Sequence, residues 1–127
     1  MDAESQLGLV LWTTDVFALA AFLEAVAGVT VEERHPGFAL LRAGSTPIML
    51  HADESYRGHP WYDALTREGA ARGIGAELRL RVADVDAAYR SALKLGGRAI
   101  SAPHDSGNGT ECSMMGPDGF LISLWHE

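Results

Sequence analysis

Residues 75–97 read GAELRLRVADVDAAYRSALKLGG. Leu78, Leu80 and Val82 alternate with Glu77, Arg79 and Arg81, the two-residue period of a strand with one apolar and one polar face. The alternation ends at Asp84, a residue type that caps helix N-termini, and the segment then closes on Gly96-Gly97. Residues 7–28, LGLVLWTTDVFALAAFLEAVAG, repeat the device. A short apolar strand ends at Asp15, after which Phe22, Leu23 and Val26 recur at helical spacing up to Gly28.

Each strand-cap-helix stretch is followed by three short strand candidates. VTVEER (29–34), FALLRA (38–43) and TPIMLHA (46–52) are separated by the turn segments HPG and GS. RAIS (98–101), TECSMM (110–115) and GFLISLW (119–125) are separated by SGNG and GPDG. The order β-α-β-β-β thus occurs twice, which points to an internal duplication. The expected fold is α+β: one domain over 1–127, with module 1 at about 7–52, a linker at 53–74 and module 2 at about 75–126. Within the linker, Pro60 opens a helix expected from Trp61 to about Ala71, and the segment is a candidate lid or swapped connection.

The chain of 127 residues is 47% hydrophobic and 21% charged, values of a globular protein able to bury a core. A net charge of −7 argues against a nucleic-acid partner and admits cationic ligands. The single cysteine, Cys112, excludes an internal disulfide and reads as a buried thiol. The start, MDAESQ, lacks the features of a secretion signal, and the longest apolar run is interrupted by Glu24. These features predict a cytoplasmic protein with no membrane partner. There is no nucleophile elbow, phosphate-binding loop or dinucleotide fingerprint. The five histidines are scattered, with His35, His59 and His104 expected on turns or loops.

The duplicated order, with RVADVDAAY opening module 2 and GPDGFLISLWHE closing it, resembles the vicinal oxygen chelate superfamily. That group includes glyoxalase I, extradiol dioxygenases and bleomycin-resistance proteins. The resemblance implies two curled sheets with helices on their outer faces, inner faces forming ligand cups, and pairing of chains as a homodimer. It puts Leu7, Leu9 and Leu11 towards the helix and Gly8, Val10 and Trp12 in the cup. Met49, His51, Glu77, Arg79, Arg81, Ser123 and Trp125 also face a cup. Metal ligands in the superfamily would fall at Gly8, Met49, Glu77 and Ser123, of which only Glu77 has the required chemistry. A displaced divalent-metal site would have to recruit His51 with His126 or Glu111.

The function expected from this resemblance is a small-molecule-binding protein that needs no cofactor and sequesters an aromatic or cationic compound. Its candidate ligand-binding residues are Trp12, Met49, His51, Trp61, Glu77, Arg79, Arg81 and Trp125. The alternative is a glyoxalase- or dioxygenase-like enzyme, with a nonstandard metal site or with Glu77 or His51 as a metal-free general base. A third reading is an accessory domain without a small ligand. Tyr56, Trp61 and Tyr62 either cover a ligand stacked on Trp12 or anchor the linker to the sheet. Of Met114 and Met115, at least one is expected in the core.

Overall fold

The computed structural model describes residues 5–127. Strands β1 (Leu9–Thr13), β2 (Thr30–His35), β3 (Phe38–Ala43) and β4 (Thr46–Ala52) form one sheet in the order β1-β4-β3-β2, with helix α1 (Val16–Ala27) on one face. The linker holds a 3₁₀ turn at Asp53–Tyr56 and a short helix α2 (Pro60–Thr66). Strands β5 (Leu78–Arg81), β6 (Arg98–Asp105), β7 (Thr110–Met115) and β8 (Leu121–His126), with helix α3 (Val85–Lys94), repeat the arrangement in the order β5-β8-β7-β6. In both sheets the first strand runs parallel to the last and the remaining pairs are antiparallel.

The two expected caps form as the sequence implies. Asp15 accepts from the Ala18 N–H and Asp84 from the Ala87 N–H, each at 3.0 Å. Gly28 ends α1 in the left-handed conformation, φ +65°, which costs an L side chain energy and glycine little. The helices pack on each other as well as on their own sheets, so both modules share one core. Module 1 gives it Leu19, Phe22, Leu23, Leu41 and Leu50, and module 2 gives Cys112, Met114, Ile122 and Leu124. Met115 lies outside it, and among the described residues no helix is long and apolar enough to cross a membrane.

Several boundaries differ from expectation. The linker helix stops at Thr66, because Gly69 turns the chain at φ +67° before Ala71 is reached. Strand β6 runs on to Asp105 and carries His104 in the sheet. The second of two irregularities in its pairing with β7, between Ser101 and His104, takes up Pro103, and an edge strand tolerates a residue that has no N–H to donate. β8 begins at Leu121, since Pro117–Gly119 form a 3₁₀ turn with Asp118 at φ +61°. Leu7 precedes β1 and is 65% exposed, so the inward alternation starts at Leu9.

A candidate functional site on two unequal cups

The faces turned away from the helices carry the side chains that alternation assigns to them. In β1 Leu11 and Thr13 are buried in the core, while Val10 and Trp12 lie on the opposite face. Register places Trp12 beside His51 and Val10 beside Met49. In module 2, Arg79 lies beside Ser123 and Arg81 beside Trp125. The expected ligand residues therefore divide between two sheets: Trp12, Met49 and His51 on the first, Glu77, Arg79, Arg81 and Trp125 on the second.

The first cup is covered by the chain itself. Tyr56 lies on Trp12 with ring centroids 3.7 Å apart and planes inclined by 29°. His59 meets Trp12 edge-on at 5.1 Å, and Phe38 meets His51 in the same way at 5.4 Å. The cover is pinned by a buried ion pair. Arg72 Nη1 donates to Asp53 Oδ1 at 2.7 Å, Arg72 Nη2 to Asp53 Oδ2 at 2.6 Å, and Nη1 also to the Trp12 carbonyl at 3.0 Å. Both side chains are under 10% exposed, the geometry in which a bidentate pair offsets the cost of desolvation. The bond to Asp53 outweighs burial and makes the Arg72 guanidinium harder still to deprotonate. Trp61 does not cover Trp12. It is 61% exposed at the rim of a crevice of about 450 Å³ that Val10, Trp12, Leu65 and Ile74 also line.

The second cup is open and charged. Glu77, just before β5, accepts the Ser123 hydroxyl at Oε2 (2.9 Å), and Arg79 Nη1 approaches the same oxygen at 3.7 Å. Arg79 also reaches Glu111 Oε2 at 3.3 Å. The guanidiniums of Arg79 and Arg81 lie 5.8 and 5.7 Å from the Trp125 ring centre, within cation–π range, and Arg81 reaches Glu127 at 3.7 Å. Toward the start of β8 this face turns apolar. Ile74, Ile100, Met115 and Leu121 line a groove of about 670 Å³ with Glu77 at its edge.

The residues at the superfamily's metal positions do not fit a divalent cation. Gly8 brings no side chain, Met49 brings a soft thioether on the other sheet, and the Ser123 hydroxyl is spent on Glu77. His51 lies on the first sheet among aromatic rings, away from the Glu77–Glu111 pair. Among the described residues no three His, Cys, Asp or Glu side chains gather as a metal set. Cys112 is buried, and burial pushes its thiol up to about 11, so it is no nucleophile at neutral pH.

A clasp joins the modules where the sequence showed only a turn motif. Asp118 Oδ2 accepts the Thr13 hydroxyl (2.6 Å) and the Thr14 N–H (2.8 Å), and Oδ1 accepts the Thr14 hydroxyl (2.8 Å). Burial acts to raise this carboxyl, yet these three bonds and nearby Arg72 prevail and hold it below the usual carboxylate range. Neither this clasp nor the Asp53–Arg72 pair is legible as a spacing, because their partners are far apart in the chain.

Tandem βαβββ modules, each with a helix-backed sheet and an inner polar or aromatic face, define the class of paired-module proteins that the sequence resembles. The chain belongs to the glyoxalase-like family: the family model, described as a glyoxalase-like domain, matches residues 8–125. That places it with the vicinal oxygen chelate superfamily. Similar solved structures include a glyoxalase/bleomycin resistance protein/dioxygenase family enzyme from Burkholderia phytofirmans. It is 24% identical, covers 93% of this chain and 94% of its own, and has a TM-score of 0.74. A glyoxalase-related enzyme from Fulvimarina pelagi is 15% identical over 97% and 88%, with a TM-score of 0.74. A glyoxalase/bleomycin resistance protein from Albidiferax ferrireducens is 16% identical over 94% and 96%, with a TM-score of 0.71. At these identities the likeness is one of fold. No curated protein matches the chain.

Proposed function

We propose that the protein is a small-molecule-binding protein of the glyoxalase/bleomycin-resistance type that sequesters its ligand in the second cup without a resident metal. The charge balance of that cup carries the reading. Two carboxylates, Glu77 and Glu111, share one guanidinium, Arg79, while Arg81 is matched by Glu127. One negative charge is left over beside an apolar groove, which suits an organic cation with an apolar or aromatic body. Oε2 of Glu77 takes both of that residue's contacts, and among the described residues nothing reaches Oε1. The cationic head would bond there, with the body along Leu121, Met115 and Ile100.

A homodimer accords with the rims of the two cups. Ile74 is 83% exposed and Ile100 55%, and the outer edges of β1 and β5 pair with no strand among the described residues. A second copy seated there would close crevices between modules of different subunits. The second reading is an enzyme in which Glu77, whose side chain is 41% exposed and within reach of a substrate, acts as a general base.

The test compares 4-phenylbutylamine, 4-phenylbutanol and 4-phenylbutyrate by calorimetry and by amide shifts of the β5–β8 sheet. The amine is expected to bind about tenfold or more tightly than the other two, and Glu77→Gln to erase that preference. Equal binding of all three, or a preference for the acid, would overturn the charge assignment. No shift on this sheet with any probe would overturn the cup itself, and chemical conversion of a bound amine that Glu77→Gln abolishes would put the enzyme first.

A further inference from the structure

The first cup holds a ring that its own sheet did not supply. Trp12, His51 and Phe38 stand side by side across β1, β4 and β3 on one face, each in register with the next. Tyr56 comes from the linker and fills the space above Trp12, closer to it than aromatic pairs usually stack and with His51 at 5.6 Å and His59 at 5.8 Å. A planar aromatic ligand would make the same contacts.

The fastening of this ring is slight. Among the described residues the Tyr56 hydroxyl makes no hydrogen bond, and the backbone bonds around it are local: Arg57 N–H to the Glu54 carbonyl at 3.3 Å and His59 N–H to the Tyr56 carbonyl at 2.8 Å. Helix α2 buries none of its side chains and packs mainly on that turn, and Gly58 between them sits at φ +90°. The strong anchors, Asp53 and Arg72, lie at the two ends of the segment. Residues 54–71 therefore form a strap pinned at its ends, with the rings of Tyr56 and His59 near its start resting on Trp12, the construction of a segment that opens at low cost.

The geometry points to the cup of module 1 as a second binding site, for a planar, uncharged aromatic ring system, with Tyr56 as its tethered internal occupant. Entry of a ligand exchanges one ring for another over Trp12 while the Asp53–Arg72 pair stays closed. His51 and His59 border the slot and offer ring nitrogens to a heteroaromatic ligand. Because the occupant is tethered, its effective concentration is of millimolar order, and a free ring must outcompete it. The site is independent of the ligand proposed for the second cup.

The experiment follows the backbone amide signals of β1, β3 and β4 in the full chain during titration with quinoline, with cyclohexanol as a non-planar control. In Tyr56→Ala quinoline is expected to bind at least tenfold more tightly than in the wild type, whereas Tyr56→Phe, which keeps the occupant, behaves as wild type. The gain is expected to survive Glu77→Gln and to vanish when Trp12→Leu is added. Equal affinity in wild type and Tyr56→Ala, the same gain for cyclohexanol, or a gain that survives Trp12→Leu would overturn the proposal. Should Tyr56→Ala lose its native melt, Tyr56→Ser carries the same comparison.

Discussion

The two modules share an element order and a sheet order, yet one cup is filled and the other is open. Module 1 lays an aromatic row across its sheet, and the linker that leaves β4 folds back at once to set Tyr56 on it. Among the described residues no segment lays a ring over the sheet of module 2. In place of the aromatic row it has a charged knot around Arg79, with the guanidiniums of Arg79 and Arg81 both near the Trp125 ring. The clasp is equally one-sided. Module 2 reaches into module 1 through Asp118, whereas the equivalent turn of module 1, Gly44-Ser45, has no carboxylate to return. A duplicated fold thus keeps its geometry while the residues at its turns and strand ends diverge, and those residues decide which cup is free for a ligand.

The largest effect is expected where the cover is pinned. Arg72→Ala leaves the Asp53 carboxylate buried without its partner, a change that costs about 3 kcal/mol or more unless the strap lifts. The melting temperature should fall, and Trp12 should become accessible to a fluorescence quencher. A variant that melts as the wild type would mean the cover is not held by this pair.

Asp118→Asn is expected to cost about 1–3 kcal/mol, because Asn keeps the left-handed backbone but loses the charged acceptor for three donors. The same clasp gives a pH signature. The folded carboxyl titrates below its unfolded value, so its stabilisation is complete above the unfolded carboxylate range, about pH 4. It is then lost as pH falls through the lower folded value. Melts of the wild type and Asp118→Asn should converge in acid; parallel curves would remove the clasp from the account.

Arg81→Ala tests the open cup, where the side chain is 58% exposed and its ion pair is long at 3.7 Å. Stability should change by less than about 0.5 kcal/mol, while Trp125 emission should shift as one of its flanking cations is lost. Cys112 is tested by labelling rather than by stability. Native protein is expected to resist iodoacetamide at neutral pH and to react once unfolded, because burial holds the thiol near 11.

Much of this was legible in the chain. The alternation of residues 77–82, the paired Asp15 and Asp84 caps and the turn segments defined both modules, and β3, β4 and β7 begin and end where their patterns do. Cys112 is buried as its place in a strand implies, and of the two methionines, one of which was expected in the core, it is Met114 that is buried. The strap helix was overrun because Gly69 breaks it early, and β6 was cut short because Pro103 reads as a stop where an edge strand tolerates it. In the site, alternation assigned the correct face to Trp12, Met49, His51, Arg79 and Trp125. It could not divide them between two cups, nor could it show that Tyr56 rather than Trp61 covers Trp12.

The sequence by itself determined what is local. Strand period, helix caps and turn chemistry act over a few residues, and each leaves a pattern in the chain. Only the tertiary structure decided that Arg72 meets Asp53, that Asp118 clasps Thr13 and Thr14, and that one cup is filled by the linker. These contacts join residues 19 to 105 positions apart. Their energy comes from burying charges and rings against partners that only the folded chain brings within reach.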